Sequence, residues 1–172
     1  MKTAAPDARR TALHETGNDI PHGARAKLVD LLNSSLSSCI DLSLQAKQAH
    51  WNVKGPTFIA LHKLFDKVAG AAQEALDEIA ERAVALGGVA RGTAQTVARS
   101  SGLEAYPEDA VAGADHVRAL SRALSTFGAH ARAGIAHATG LGDAGTADLY
   151  TEISREIDKV LWMVEAHAVS AR

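Results

Sequence analysis

Apolar residues recur every three or four positions along much of the chain, and this spacing is typical of amphipathic helices. The first such stretch predicts a helix over residues 23–53, ended by the Gly55-Pro56 pair. The second predicts a helix over residues 58–86, ended by Gly87-Gly88. Because only a short turn separates the two helices, we expect them to lie side by side and antiparallel.

A long connection follows. Residues 89–106 contain no long periodic segment, but a short helix is expected at residues 94–100, because a structureless stretch of this length is unusual in a compact domain. The third long helix is predicted to begin at Pro107 and to end near Ala138.

A fourth helix is predicted after a cap at Asp143 or Thr146, and it extends nearly to Arg172. The chain is therefore expected to be all-α: a four-helix bundle with a long crossover, containing a short helix, between the second and third helices. This is the connectivity of ferritin-like folds.

Composition narrows the class of protein. The chain has 172 residues, enough for one domain with a real core, and 47% of them are hydrophobic but only 4% aromatic. Its net charge of −2 does not suggest a general affinity for nucleic acid. A single cysteine, Cys39, suits a reducing compartment, and no apolar run is long enough for a membrane span, so we expect a cytoplasmic protein.

The candidate chemistry lies on the second helix. His62, Asp66, Asp77 and Glu81 fall within about 100° of one another around the helix axis. His62 and Glu81 are nevertheless about 28 Å apart along that axis, so they cannot hold one metal ion within one chain.

Two copies of this helix could bring the four residues together if they crossed antiparallel near residue 71. His62 of one chain would then face Glu81 of the other, and Asp66 would face Asp77. The residues at the crossing are small, namely Gly70, Ala71 and Ala72. The spacing thus suggests two metal sites built across a two-fold dimer.

His50 should return beside His62, since the first two helices are neighbours. A set of two histidines and three carboxylates suits iron better than structural zinc, which favours cysteine. Each residue also has an ordinary interpretation: a solvated helix face for the carboxylates, a structural role for His50, and a local pair for His62 and Asp66. The chain contains no Glu-x-x-His motif, so no di-iron site inside the bundle is expected.

Several segments resemble the Dps family, the DNA-protecting mini-ferritins of bacteria. They are KQAHWNVKG, FxxLHxLFD, DExAERAVALGG, GTAQTVARSS, YPED and TADLYTEISREIDKVLW, and the similarity extends from about Ala24 to His167. The resemblance implies a hollow homo-dodecamer with a ferroxidase centre at each two-fold interface. Its iron ligands would be His50, His62 and Asp66 of one chain with Asp77 and Glu81 of the partner subunit, giving two sites per dimer.

The resemblance also implies the reaction. Ferrous iron would be oxidised, preferably by hydrogen peroxide, and stored as ferric mineral, which protects DNA from oxidative damage. Trp51 could donate an electron near the iron or simply be a large interface side chain. Asp143, Asp148 and Glu152 match positions that line the family's iron-entry pore, although carboxylates also favour helix N-termini. Trp162 is expected in the core.

DNA contact is the remaining question. Residues 1–22 are polar and lack periodicity, so we expect a mobile arm before a bundle domain over residues 23–172. Acidic residues interrupt the arm's positive charges, so DNA binding should be weak and salt-sensitive. Two alternatives stay open: a nucleoid-compacting DNA-binding protein with a secondary iron site, and a helical oligomer without metal. The positive charges near this end are Lys2, Arg9, Arg10, Arg25 and Lys27.

Overall fold

The computed structural model describes residues 13–168, and in this part of the chain the secondary structure is helical apart from one isolated bridge between Lys54 and Ala112. The fold is an all-α four-helix bundle with a short helix in the crossover, which confirms the predicted class. The helices are α1 (His22–Asn52), α2 (Phe58–Ala85), α3 (Ala94–Ser100), α4 (Gly113–Gly140) and α5 (Ala144–Glu165).

Two helical hairpins form the bundle. α1 packs along α2 and α4 along α5, while α1–α4 and α2–α5 contacts join the hairpins. The interior is filled by leucine, isoleucine and a few aromatic side chains, which are removed from water almost completely. The largest of them are Leu28, Leu32, Leu36, Leu42, Leu61, Phe65, Ile79, Leu86, Leu120, Leu124, Phe127 and Tyr150. Among the described residues, none of the helices combines the length and hydrophobicity that a membrane crossing needs.

The crossover is held by a polar stripe on α1. Asn33 Nδ2 donates to the carbonyl of Val89 at 3.0 Å, Ser38 Oγ accepts from Gly102 N at 3.1 Å, and Gln45 Nε2 donates to the carbonyl of Glu104 at 3.0 Å. Asp41 accepts a further bond from the Ser101 hydroxyl. Backbone groups of an irregular segment need such partners. α1 is therefore covered on its polar side as well as on its apolar side.

The third long helix begins later than predicted. Pro107 starts a turn, with Ala110 N donating to its carbonyl at 3.1 Å, and the helix starts only at Gly113. Between them, Lys54 N donates to the Val111 carbonyl at 3.1 Å, which ties the end of the crossover to the α1–α2 turn in an extended conformation. A Cβ at Gly113 would lie 2.5 Å from Leu61 Cδ1, so any larger residue there would force the buried Leu61 side chain to shift.

The N-terminal arm is shorter than predicted. His14 N donates to the carbonyl of Gly87 at 2.7 Å, and Leu13 and Ile20 pack against the core, so residues 13–21 lie on the bundle. The rest of the predicted arm, residues 1–12, is outside the described residues.

Arg25 does not belong to a cationic DNA-binding cluster, contrary to expectation. Its side chain is buried and donates to the carbonyls of Ile20 and Leu86, each at 3.0 Å. Arg25 thus fastens the start of α1 to the end of α2. Lys27 is exposed, whereas Lys2, Arg9 and Arg10 lie outside the described residues.

Candidate metal centre

Two histidines face each other where α1 ends and α2 begins. The ring centroids of His50 and His62 are 3.7 Å apart and the ring planes differ by 20°. The turn between the helices contains Gly55 at φ 113°, a conformation that favours glycine. The expectation that His50 returns beside His62 is therefore confirmed.

Hydrogen bonds fix the orientation and the tautomer of both rings. His50 Nδ1 lies 2.7 Å from the carbonyl oxygen of His62, and His62 Nδ1 lies 2.8 Å from the carbonyl oxygen of His50. A carbonyl can only accept, so each Nδ1 carries the proton and donates. In the neutral ring this leaves the lone pair on Nε2, which is the form in which an imidazole binds a metal ion.

Asp66 lies one turn beyond His62 and already has a cationic partner. Lys47 Nζ of α1 is 2.5 Å from its Oδ1, and 54% of the Asp66 side chain is exposed. The hydrogen bond and the charge of Lys47 lower the pKa of Asp66, and the two histidines contribute to the same effect. The carboxylate is thus ionised at neutral pH, with a lysine ammonium where a metal ion could bind. Lys47 was missed in the sequence, although it precedes His50 by one helical turn.

The other two predicted ligands lie farther along α2. Asp77 and Glu81 are exposed, and within residues 13–168 neither has a hydrogen bond or an ion pair. Across the same residues, no three His, Cys, Asp or Glu side chains are close enough to hold one metal ion. One chain therefore brings His50 and His62 together, places Asp66 near them, and does not complete a site.

Large apolar side chains are exposed on the two helices that carry the histidine pair. Trp51 is 67% exposed, Ile59 60% and Leu44 57%, and the exposed Phe58 ring lies 5.1 Å from the ring of His62. Exposed apolar side chains are typical of interaction surfaces when they form one patch.

The small residues at the middle of α2 divide between two faces. Gly70 is half-buried, and a Cβ built on it would meet nothing within 4 Å. Ala71 is also half-buried, but Ala72 is fully buried, and its carbonyl accepts a hydrogen bond from Cys39 Sγ at 3.3 Å. Only Gly70 and Ala71 are therefore available for a close crossing with another helix.

Asp143 is buried within the subunit and has partners there. Its side chain is only 2% exposed, caps α5 by accepting from Thr146 N at 3.0 Å, and pairs with Arg82 Nη2 at 2.7 Å. Burial opposes ionisation of Asp143, but the hydrogen bonds from Arg82 and Thr146 outweigh it and lower the pKa. The alternative prediction, a cap for the fourth helix, is confirmed.

Asp148 and Glu152 are exposed on α5. Glu152 also lines an acidic groove of about 310 Å³ between α2 and α5, together with Glu74 and Glu78. Partial burial of Glu78, followed by the charges of Glu152 and Glu74, raises its pKa. The groove can therefore attract cations. Trp162, expected in the core, is 66% exposed on the same helix.

The profile of the ferritin-like domain family matches residues 29–172. The DNA protection during starvation protein of Agrobacterium fabrum is 45% identical over 154 residues, which cover 90% of this chain and 95% of the relative. DpsC of Streptomyces coelicolor superposes with a TM-score of 0.89 at 29% identity, covering 93% of this chain and 94% of that one. Dps of Microbacterium arborescens in its high iron form superposes with a TM-score of 0.80 at 30% identity, covering 91% of this chain and 98% of that one. The chain belongs to the ferritin-like family and, within it, to the Dps proteins.

Proposed function

We propose that this chain is the subunit of a shell that oxidises ferrous iron and stores the ferric product. The observation that carries the proposal is the His50–His62 pair, in which both Nδ1 atoms are committed to carbonyls and both Nε2 atoms are left for a metal ion. Two imidazoles with carboxylates form a mixed nitrogen and oxygen set that suits iron. The Dps membership and the likeness to a Dps in its high iron form support the same substrate.

The missing ligands come from a second copy of the chain in this proposal. One stripe of α2, beside the face that packs into the core, carries Ile59, His62, Asp66, Gly70, Asp77 and Glu81. An antiparallel crossing near Ala71, with Gly70 beside it, would bring Glu81 of the partner subunit to His62 and Asp77 of the partner subunit to Asp66. The exposed apolar side chains beside the histidine pair would be covered by the same contact. Each two-fold dimer would then hold two iron sites.

The reaction needs two electrons for each hydrogen peroxide. Two ferrous ions supply them and become ferric, while the peroxide takes up two protons and leaves as two waters, so no hydroxyl radical is released. The carboxylates of Asp66, Asp77 and Glu81 are hard ligands that favour the ferric product. Lys47 stabilises the ionised Asp66 before iron arrives and must move aside when iron binds. Trp51 is exposed next to His50 and could supply an electron when only one ferrous ion is bound.

Iron would enter and collect along acidic surfaces. Asp148 and Glu152 are the exposed members of the predicted pore set, and the groove with Glu74 and Glu78 extends the negative potential along α5. Twelve such subunits would enclose the mineral. Removal of iron and peroxide would protect DNA without any contact with it. Direct DNA binding through the N-terminal end, the alternative function, would rely on the positive charges of residues 1–12 and on Lys27, because Arg25 is buried.

Size-exclusion chromatography after addition of ferrous iron and hydrogen peroxide tests this proposal. Iron should elute with the protein in a species of roughly twelve subunits, and consumption should approach two irons per peroxide. The His50→Ala/His62→Ala variant is the matched control, since both side chains are only partly buried and lie outside the apolar core, so their loss should leave the subunit folded. Iron loading by the control at the wild-type rate would refute the assigned centre.

A further inference from the structure

We propose that His116 is a positioning residue for the His50–His62 pair, and this proposal rests on the function proposed above. His116 lies in the first turn of α4 and is fully buried. Its ring contacts Phe65 of α2, at a centroid distance of 6.2 Å, and Tyr106 of the crossover, at 6.1 Å. Three separate segments of chain therefore meet at one buried polar ring.

A hydrogen bond orients this ring. Tyr106 Oη lies 2.5 Å from His116 Nδ1. Burial lowers the pKa of His116 and raises that of Tyr106, so the imidazole is neutral and the phenol keeps its proton. The phenol therefore donates to Nδ1, and the imidazole proton is on Nε2. This nitrogen makes no hydrogen bond of normal geometry among residues 13–168, but the backbone groups of Asn52 and Val111 act on the ring and favour its protonation.

The groups around His116 are chain neighbours of the proposed ligands. Asn52 is the last residue of α1 and follows His50 by two positions, while Phe65 directly precedes Asp66. The packing here leaves little freedom, because Val111 is bonded to the α1–α2 turn and Leu61 occupies the space that a side chain at Gly113 would need. The orientation of the His116 ring thus helps to set the separation of α1 and α2 where their two histidines stack.

An apolar side chain in place of His116 could fill the same space, and it would leave no nitrogen without a hydrogen-bond partner. Burial of a polar ring costs stability unless its hydrogen bonds are made. A satisfied or nearly satisfied buried network, in return, fixes one arrangement of the surrounding core. The structure places this network against Phe65 and Asn52, which are chain neighbours of Asp66 and His50, and supporting groups of this kind tune metal affinity by holding ligands in position.

Binding of Co²⁺ to the assembled protein tests the proposal, because this ion takes nitrogen and oxygen ligands, reports their geometry in its visible spectrum, and is stable in air. The Tyr106→Phe variant keeps the packing and removes the bond to His116. The matched control is Tyr150→Phe, since Tyr150 is fully buried on α5 and its Oη bonds Ser35 Oγ at 2.8 Å, away from the proposed centre. Both variants lose one buried hydroxyl.

We expect about tenfold weaker Co²⁺ binding and an altered spectrum for Tyr106→Phe. Tyr150→Phe should bind as the wild type does, even if both variants melt at the same lowered temperature. His116→Phe repeats the test without changing Tyr106 and should also bind weakly. Equal affinities for the Tyr106 and Tyr150 variants would overturn the positioning role. If the wild type binds no Co²⁺, or binds it without His50 and His62, the proposed centre itself fails and this proposal fails with it.

Discussion

Replacement of Asp143 by alanine separates a structural carboxylate from one that lines an iron route. Asp143 accepts two bonds from Arg82 Nη2, at 2.7 and 2.9 Å, and one from Thr146 N at 3.0 Å. Loss of the helix cap costs about 1 kcal/mol. Loss of the charged acceptor costs roughly 1.5–3 kcal/mol, and the lower part of this range applies because 26% of the Arg82 side chain is exposed and water can solvate it. The free energy of unfolding should fall by about 3 kcal/mol in total.

Scanning calorimetry at a fixed protein concentration measures this loss, since assembly contributes to the melting temperature. At roughly 2–4 °C per kcal/mol for a chain of this size, Asp143→Ala should melt about 6–12 °C below the wild type. Asp148→Ala is the matched control, because Asp148 is exposed on the same helix, and its effect on stability should stay within about 0.5 kcal/mol.

The two variants should affect iron uptake at low ionic strength in the opposite order from their effects on stability. Asp148→Ala should slow uptake because it removes an exposed negative charge that attracts ferrous ions, whereas Asp143→Ala should not. The pKa of Asp143 in the folded chain lies below its ordinary value of 3.8, so its stabilising effect is complete above that pH and disappears as the pH falls through the lower value. An Asp143→Ala protein that melts like the wild type but takes up iron slowly would refute this reasoning.

Three further predictions concern other parts of the molecule. Lys47→Met should tighten ferrous-iron binding, measured anaerobically by calorimetry, because iron no longer competes with the ammonium for Asp66; weaker binding would contradict this. Gly70→Leu should weaken dimers while leaving the subunit's helix content intact, because the side chain has room within one chain but not at a close crossing; native assembly with native oxidation would show that the crossing lies elsewhere. DNA retention by the full chain in a gel shift should fade as salt rises, and deletion of residues 2–12 should abolish it. Tight binding that survives the deletion would place the DNA surface on the bundle.

The local signals in the sequence were sufficient for most of the fold. Gly55-Pro56 and Gly87-Gly88 ended the first two helices close to the observed ends, and the short helix at Ala94–Ser100 was predicted with its observed bounds. Pro107 suggested a helix start because proline suits a first turn. The chain instead uses the residues after Pro107 to pair with the α1–α2 turn, a long-range contact that local pattern does not reveal.

The candidate site was predictable only in part, for the same reason. Helix periodicity and a short turn were enough to bring His50 to His62. They could not show that each ring bonds the other's carbonyl, that Lys47 pairs with Asp66, or that Asp143 turns inward to Arg82, because these contacts depend on which side chains two packed helices bring together. The prediction for Arg25 was wrong for a similar reason. A cation near a polar terminus is expected to be exposed, but the segment before Arg25 folds back onto the bundle, and the side chain donates to the carbonyls of Ile20 and Leu86.

Complementation within mixed shells tests the central claim, that each metal centre is shared between two chains. The His50→Ala/His62→Ala and Asp77→Ala/Glu81→Ala variants should each be inactive alone, because every site lacks ligands. In an equal mixture that assembles at random, about one site in four receives the histidines of one variant and the carboxylates of the other, so iron oxidation should return to about a quarter of the wild-type rate. If mass analysis shows mixed dimers and activity remains at zero, the centre is not shared between chains in the way proposed.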